Sequence, residues 1–233
     1  MMVFESVTFG YEPDRPVVRK ASFSLSSGMT LLLGPNGCGK STLLKLAAGV
    51  ESPDAGRILV DHIDLWKEEA KARREIAYLP EFPDITPYAA LRDVLRLVCR
   101  LRGEAVKAGD RALEAFGLAD EAGRSVRELS SGQRKRALFA AAIIGRPAHV
   151  FLDEPLDGLD RQIADDVLVW IRTRLADGAT LAVVSHAIEP FADLATRALT
   201  VRDGCVVDYG TLPRPSDDRF RLLDSLARGA GVP

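Results

Sequence analysis

The stretch LLLGPNGCGKSTLLKLAAG, Leu31 to Gly49, constrains this chain more than any other. An apolar run gives way to Gly34, Gly37 and Gly39, then to Lys40, Ser41 and Thr42, and a second apolar segment follows at helical spacing. Glycine tolerates positive φ and lets backbone approach a ligand closely, so the middle reads as a tight loop between a strand and a helix. Gly34 to Ser41 fits G-x-x-x-x-G-K-[ST]. Successive N–H groups of such a loop and the positive end of the helix form a seat for an anion such as a triphosphate. The Lys40 ammonium is placed to neutralise β- and γ-phosphates, and the Ser41 hydroxyl to ligate Mg2+. Taken alone, the stretch is also compatible with a plain glycine-rich strand–helix turn.

The rest of the chain repeats the strand pattern. Short alternating runs at Val3–Phe9 and Ala21–Leu25 predict antiparallel strands at an edge of the fold. Further strand runs fall at Thr30–Leu33, Arg57–Val60, Ile76–Leu79, Val150–Leu152, Thr180–Val184 and Ala198–Val201. Helical patterns separate several of them, which predicts an α/β sheet with parallel central strands. HVFLD and TLAVVS are continuous apolar runs that end in polar residues, as strands buried on both faces do. Ligands sit at the carboxyl ends of such strands, so Asp153 and Ser185-His186 are expected to face the glycine loop.

Between Glu81 and Leu129 the strand pattern stops. PYAALRDVLRLVCRLRG and EAVKAGDRALEAFGL read as amphipathic helices with arginines on the polar face, and the expectation is a helical subdomain at 81–129 inserted into an α/β core formed by 1–80 and 130–210. The C-terminal tail, 211–233, reads as a linker, one short helix and a frayed end.

A chain of 233 residues can bury one substantial core. A net charge of −2, with no basic stretch, argues against a nucleic-acid partner. Cys38, Cys99 and Cys205 lie far apart without metal-ligand spacing and read as reduced thiols of a cytosolic compartment. Cys38 sits where a helix N-terminus can lower a thiol pKa, although a small side chain that simply fits the loop explains it as well. The N-terminal MMVFESVTFGYE resembles no secretory leader. The apolar stretch Ala137–Ile144 is far short of the ~20 residues that span a bilayer. Any action on a membrane would then pass through a partner.

Four further motifs surround the loop. HVFLDEP puts Asp153 and Glu154 at a strand end, where Asp153 can hold the Mg2+ shell through water and Glu154 can orient or deprotonate an attacking water. The same pair would also suit a solvated turn. LSSGQRKR, Leu129 to Arg136, places small residues and hydroxyls ahead of an apolar helix, a second helix N-terminus fit for a phosphate or an ordinary capped start. LDGLD ends in Asp160, equally an N-cap for the next helix, and VVSHAIE ends a strand at His186, a γ-phosphate contact or a structural histidine.

Together these motifs resemble the nucleotide-binding subunit of ABC transporters over nearly the whole chain. The fold this implies is a P-loop NTPase (RecA-like) α/β core with an antiparallel β edge and an inserted α-helical subdomain. GPNGCGKST is similar to Walker A, so Asn36, Gly37, Cys38, Gly39, Lys40, Ser41 and Thr42 are implied to bind ATP. VFLDEP is similar to Walker B with Glu154 as its catalytic glutamate, LSSGQ to the signature, LDGLD to the D-loop, and His186 to the switch histidine. Tyr11 matches the aromatic that stacks on adenine, and is otherwise a core or strand-edge tyrosine. The resemblance implies that two subunits, as homodimer or heterodimer, sandwich two ATP molecules head to tail. Ser130, Ser131, Gly132, Gln133 and Asp160 of one protomer would then meet the nucleotide of the other. It implies Mg2+ at Ser41, Asp153 and Glu81, an integral membrane permease as partner, and a peripheral position on the inner face of the cell membrane.

Two positions depart from the family pattern. Ser131-Gly132 stands where the signature usually has two glycines, and serine is small enough to keep the backbone N–H groups exposed. Glu81, in AYLPEFPD, stands where a glutamine is usual; a carboxylate can ligate Mg2+ but donates no hydrogen bond. YLPE is similar to exporters with short ATPase subunits, so export is the expected direction. The alternative is a non-transport ATPase of the same family in DNA repair, chromosome organisation or translation. Such relatives usually carry a coiled-coil insertion or a second cassette, and this sequence shows neither.

Overall fold

The apolar runs that read as buried strands form the middle of the molecule. The computed structural model describes residues 1–82, 87–214 and 217–228. The first half of the chain runs β1 (Met2–Phe9), β2 (Val18–Leu25), β3 (Gly28–Leu33), α1 (Lys40–Ala47), β4 (Ala55–Val60), β5 (Ile63–Asp64), α2 (Glu69–Arg74) and β6 (Ile76–Leu79). There follow α3 (Leu91–Arg102), α4 (Val106–Ala115), α5 (Ser131–Ile143), β7 (His149–Asp153) and α6 (Arg161–Ala176). The chain closes with β8 (Thr180–Val184), α7 (Glu189–Ala192), β9 (Ala195–Arg202), β10 (Cys205–Thr211) and α8 (Asp217–Ala227).

The main sheet has the order β10-β9-β3-β8-β7-β6, and the second sheet β2-β1-β4-β5. In the main sheet β9, β3, β8, β7 and β6 are parallel, and only β10 is antiparallel to its neighbour. The second sheet is antiparallel throughout. Alternation along the central strands divides the core in two. Leu31, Leu33, Val150, Leu152, Leu181 and Val183 face the cluster that holds α3, α5 and α6 residues. Leu32, Phe151, Ala182 and Val184 face the cluster of α1 and the antiparallel sheet. Both faces are therefore covered, which is why β7 and β8 are buried at every position. Phe139 of α5 stacks on Phe116 at 5.9 Å and meets Trp170 of α6 edge-on at 6.2 Å.

In α3, Leu91, Leu95 and Cys99 are buried at a spacing of four while the intervening arginines are exposed, as the amphipathic reading requires. Residues 83–86, part of the segment expected to join β6 to the helices, lie outside the described residues. So do 229–233, where a frayed end was expected. The tail is tied down more firmly than a linker and short helix would be. Leu212, Leu223 and Leu226 join the main core, and the Arg219 guanidinium donates to the Pro213 carbonyl at 3.0 Å. Among the described residues no helix is long and apolar enough to cross a membrane.

Candidate functional site

Because the central strands are parallel, their carboxyl ends lie on one edge of the sheet, and the chemistry of the sequence collects there. After β3 the loop turns through Gly34 at φ 136°, Gly37 at 74° and Gly39 at 108°. A Cβ on Gly34 would stand 2.5 Å from the Val201 carbonyl oxygen, and one on Gly39 would stand 2.9 Å from Val17 Cγ1. Those two positions exclude any side chain on space as well as on dihedral angle. Helix α1 then starts with no side-chain cap at Gly39, so its free N–H groups are left for a ligand. The Lys40 ammonium is buried and folds across the loop, donating to the carbonyls of Gly34 at 2.8 Å and Pro35 at 3.0 Å.

Asn36, Gly37 and Cys38 line an open cleft together with Arg15, Val17 and Arg19. Burial pushes the Cys38 thiol up, against the opposing pull of Lys40, so the loop does not make it a reactive thiolate. Tyr11 is 56% exposed, packs edge-on against Phe9 at 5.0 Å, and its hydroxyl lies 3.4 Å from Thr42 Oγ1. The ring is steadied by that edge-on contact, Lys45 Nζ stands 5.8 Å from its centroid, and much of the side chain stays open.

Asp153, at the end of β7, is buried, and its Oδ1 has no hydrogen-bond partner. Burial pushes its carboxyl above the usual carboxylate range. The Ser41 hydroxyl bonds it and pulls the other way, the Glu81 charge raises it further, and Lys135 and Lys40 lower it. An orphaned buried oxygen, a hydroxyl and a second carboxylate make an oxygen donor set short of positive charge. A hard divalent cation such as Mg2+ fits that deficit.

Glu154 follows with φ 46°, a left-handed conformation rare for a residue with a side chain. Its Oε2 accepts from the His186 main-chain N–H at 3.1 Å and from the Ser185 hydroxyl at 3.3 Å. Its Oε1 has no hydrogen-bond partner and stands 3.6 Å from His186 Nε2. Burial raises the Glu154 carboxyl above the usual glutamate range, with the His186 N–H as the main opposing influence. The His186 ring itself is 68% exposed, so it has room to meet a phosphate.

Ser130 to Gln133 cap α5. Ser130 Oγ accepts from the Gln133 N–H at 3.2 Å, and Gln133 Oε1 accepts from the Ser130 N–H at 2.9 Å. The Gln133 amide also donates to Glu121 at 3.0 Å. Gly132 lies against the turn before α6, where its Cβ would be 3.6 Å from the Gly158 carbonyl. Asp160 caps α6 by accepting from the Ile163 N–H at 3.0 Å, the cap reading the sequence left open for it.

The geometry thus gathers Lys40, Ser41, Glu81, Asp153, Glu154, Ser185 and His186 in one place and sets Ser130–Gln133 and Asp160 on two separate helix N-termini. Sequence reasoning missed two members. Tyr78 is half-buried in β6 with its hydroxyl buried and unpartnered, and burial, Asp153, Tyr11 and Glu81 together hold its proton firmly. Lys135, 5% exposed, donates to the Glu154 carbonyl at 2.6 Å. Nothing in LSSGQRKR distinguishes the buried Lys135 from its half-buried basic neighbours Arg134 and Arg136.

Residues 18–157 match the ABC transporter family. The linearmycin resistance ATP-binding protein of Bacillus subtilis is 31% identical, over 91% of this chain and 69% of its own length. The Nod factor export ATP-binding protein I of Rhizobium etli is 34% identical, over 95% of this chain and 68% of its own. A solved ATP-binding subunit of an ABC transporter superimposes with a TM-score of 0.83 at 26% identity, covering 99% of this chain and 95% of that one. With those likenesses beside the loop, the strand-end carboxylates and the signature helix, the chain belongs to the ABC transporter ATP-binding family and is an ATP-binding, ATP-hydrolysing subunit of such a transporter.

Proposed function

We propose that ATP binds across Gly34–Thr42 with its phosphates on the α1 N-terminus, and that Glu154 is the general base of its hydrolysis. The observation that carries this reading is the meeting of an uncapped helix start, a buried Lys40 and the Asp153–Glu154 strand end on one sheet edge. Asn36, Gly37, Cys38 and Gly39 offer backbone N–H groups, Lys40 neutralises the β- and γ-phosphates, and Tyr11 stacks on the base, a contact worth about 1–3 kcal/mol in comparable sites. Ser41 and Asp153, with Glu81 beside them, would hold Mg2+; bound there it would neutralise phosphate charge.

In the chemical step Glu154 takes the proton of the attacking water, an O–P bond forms at the γ-phosphorus, and the bond to the bridging oxygen of ADP breaks. His186, with its ring exposed beside Glu154, contacts the γ-phosphate. Ser130, Ser131, Gly132 and Gln133, with Asp160, complete the site of a second subunit in a head-to-tail homodimer or heterodimer. ATP bridges the halves because its γ-phosphate supplies the charge the second helix N-terminus holds, and hydrolysis removes it.

A membrane permease is the partner this reading requires. Phe82 at 77% and Tyr88 at 75% exposure offer aromatic rings where the chain passes from β6 to α3, at the edge of the segment 81–129 that would act as the lever. The subunit would then sit at the membrane surface through that permease, with the core at 1–80 and 130–210 hydrolysing ATP. Relatives named for Nod factor export and linearmycin resistance, with the YLPE stretch, favour export. Affinity purification of the tagged full chain from solubilised membranes tests the reading: a polytopic membrane protein is expected with it. Recovery without one, from cells that express the chain at its native level, would refute the transport assignment.

A further inference from the structure

Among the described residues, the buried cation of this cluster that has no part in the reading above is Lys135. It lies in the second turn of α5, the helix whose first residues are Ser130–Gln133, and its ammonium reaches the Glu154 main chain rather than solvent. Four carboxylates, those of Asp157, Asp153, Glu154 and Glu81, act on it electrostatically. The Glu154 carbonyl it holds also accepts from the Asp157 N–H at 3.3 Å, so two donors meet on the residue whose φ of 46° needs outside support.

We infer that Lys135 is a positioning residue for hydrolysis: its ammonium fixes the Glu154 main chain and offsets the charge of the surrounding carboxylates, tying the signature helix to the general base. The inference rests on Glu154 being that base. A hydrogen bond to the Glu154 carbonyl helps fix the backbone next to the Cα from which its side chain branches, and a shift of about 1 Å in a base costs on the order of 100-fold in rate. The charge role has its own cause. Glu81 is a carboxylate where the family usually has a neutral amide, so this cluster holds one more negative charge. Lys135 is, beside Lys40, a second buried ammonium placed among its members. Helix α5 thereby has its N-terminal residues available to a second subunit's nucleotide and its second turn bonded to the strand-end glutamate of its own.

The test uses the full chain with ATP and saturating Mg2+. Lys135→Met keeps an unbranched side chain, one atom shorter, and removes donor and charge. It is expected to lower kcat by about 100-fold while KM and the affinity for a fluorescent ATP analogue stay within about threefold. Adding Glu81→Gln to Lys135→Met should restore kcat by about tenfold, because one of the uncompensated carboxylates is gone. A purely structural lysine would show no such restoration. Lys135→Gln, which retains a donor without the charge, replaces the Met variant if the latter does not fold, as judged by thermal melting. A kcat within about threefold of wild type, KM rising in step with the loss of kcat, or no restoration by Glu81→Gln would each overturn the inference. Glu154→Gln is measured beside them: turnover retained there would overturn the base assignment, a result separable from failure of the Lys135 variants.

Discussion

If Glu154 is the base of the proposed hydrolysis, replacing it by glutamine removes that base and little else, and the surroundings of the side chain say why. Its Oε2 accepts from the His186 N–H at 3.1 Å and the Ser185 hydroxyl at 3.3 Å, and the carbonyl oxygen of a glutamine can accept both. The glutamine NH2 would occupy the place of Oε1, which has no hydrogen-bond partner to lose. The backbone at φ 46° and the Lys135 bond to the carbonyl are untouched by the change. Burial opposes the charge on Glu154, so a neutral amide is at no disadvantage there, and the variant should melt no lower than wild type. General bases contribute about 10²–10⁴-fold, so phosphate release should fall by that factor, about 3–5 kcal/mol of barrier. ATP affinity should hold within about threefold, since the loop, Lys40 and Ser41 are unchanged. With ATP uncleaved, the variant should run as a dimer on gel filtration. Turnover within about tenfold of wild type by a folded Glu154→Gln chain would refute the reasoning.

Lys40→Ala should weaken ATP binding by about tenfold or more, because it removes a charge-assisted donor and releases the Gly34 and Pro35 carbonyls that the ammonium now holds; unchanged affinity in a nucleotide titration would contradict this. Ser130→Arg should leave ATP binding to the isolated chain intact and abolish turnover, with a stability loss of about 1 kcal/mol from the lost α5 cap; a fall in monomer affinity equal to that of Lys40→Ala would count against the head-to-tail arrangement. The acid limb of kcat should have its midpoint above the ordinary glutamate value of 4.5, because burial raises Glu154 and its protonated form cannot accept a proton; a rate undiminished down to that pH would exclude it. Glu81→Gln should raise the Mg2+ concentration needed for half-maximal hydrolysis by a few-fold, with ATP affinity little changed; superimposable Mg2+ curves would show that Glu81 does not act on the metal.

The main sheet was legible because β7 and β8 are continuous apolar runs with polar ends, a pattern set by burial on both faces. Each expected strand falls within an observed one. The two strands missed are those of short hairpins. The β9–β10 turn carries Asp203-Gly204, a recognisable hairpin pair, at φ 51° and 78°. The β4–β5 turn uses Asp61-His62 at 48° and 70°, and histidine gives no such signal. Asp61 is held there by bonds that no local pattern encodes, to the Met1 amine and to His149 Nε2 at 2.9 Å. The site divides the same way. Gly34, Lys40, Ser41, Asp153 and His186 announce themselves by spacing within a motif. Lys135 and Tyr78 matter through neighbours far along the chain, and only the packing of α5 against the end of β7, and of β6 beside β7, reveals them.

The same packing explains how a helix start can be joined to a strand end without a flexible linker. Helix α5 is bonded to the core near both ends. Near its N-terminus Lys135 holds the Glu154 carbonyl. At its C-terminus the Arg102 guanidinium, carried by the end of α3, donates to the carbonyls of Ala142 at 3.1 Å and Ile144 and to that of Ile76 at 3.3 Å. One arginine thereby supplies donors to the last carbonyls of α5, which no longer have helical partners, and to the first residue of β6. Burial pulls that guanidinium below its usual range, so the contact is held at an electrostatic cost that its carbonyl partners offset. Since β6 ends at Leu79, two residues before Glu81, the arginine links α3 and α5 to the strand that leads to that carboxylate. A displacement of α3 by a partner would therefore act on α5 and β6 together. A small residue at 102 would leave several buried carbonyls without donors and cut that link while sparing every side chain that meets the nucleotide.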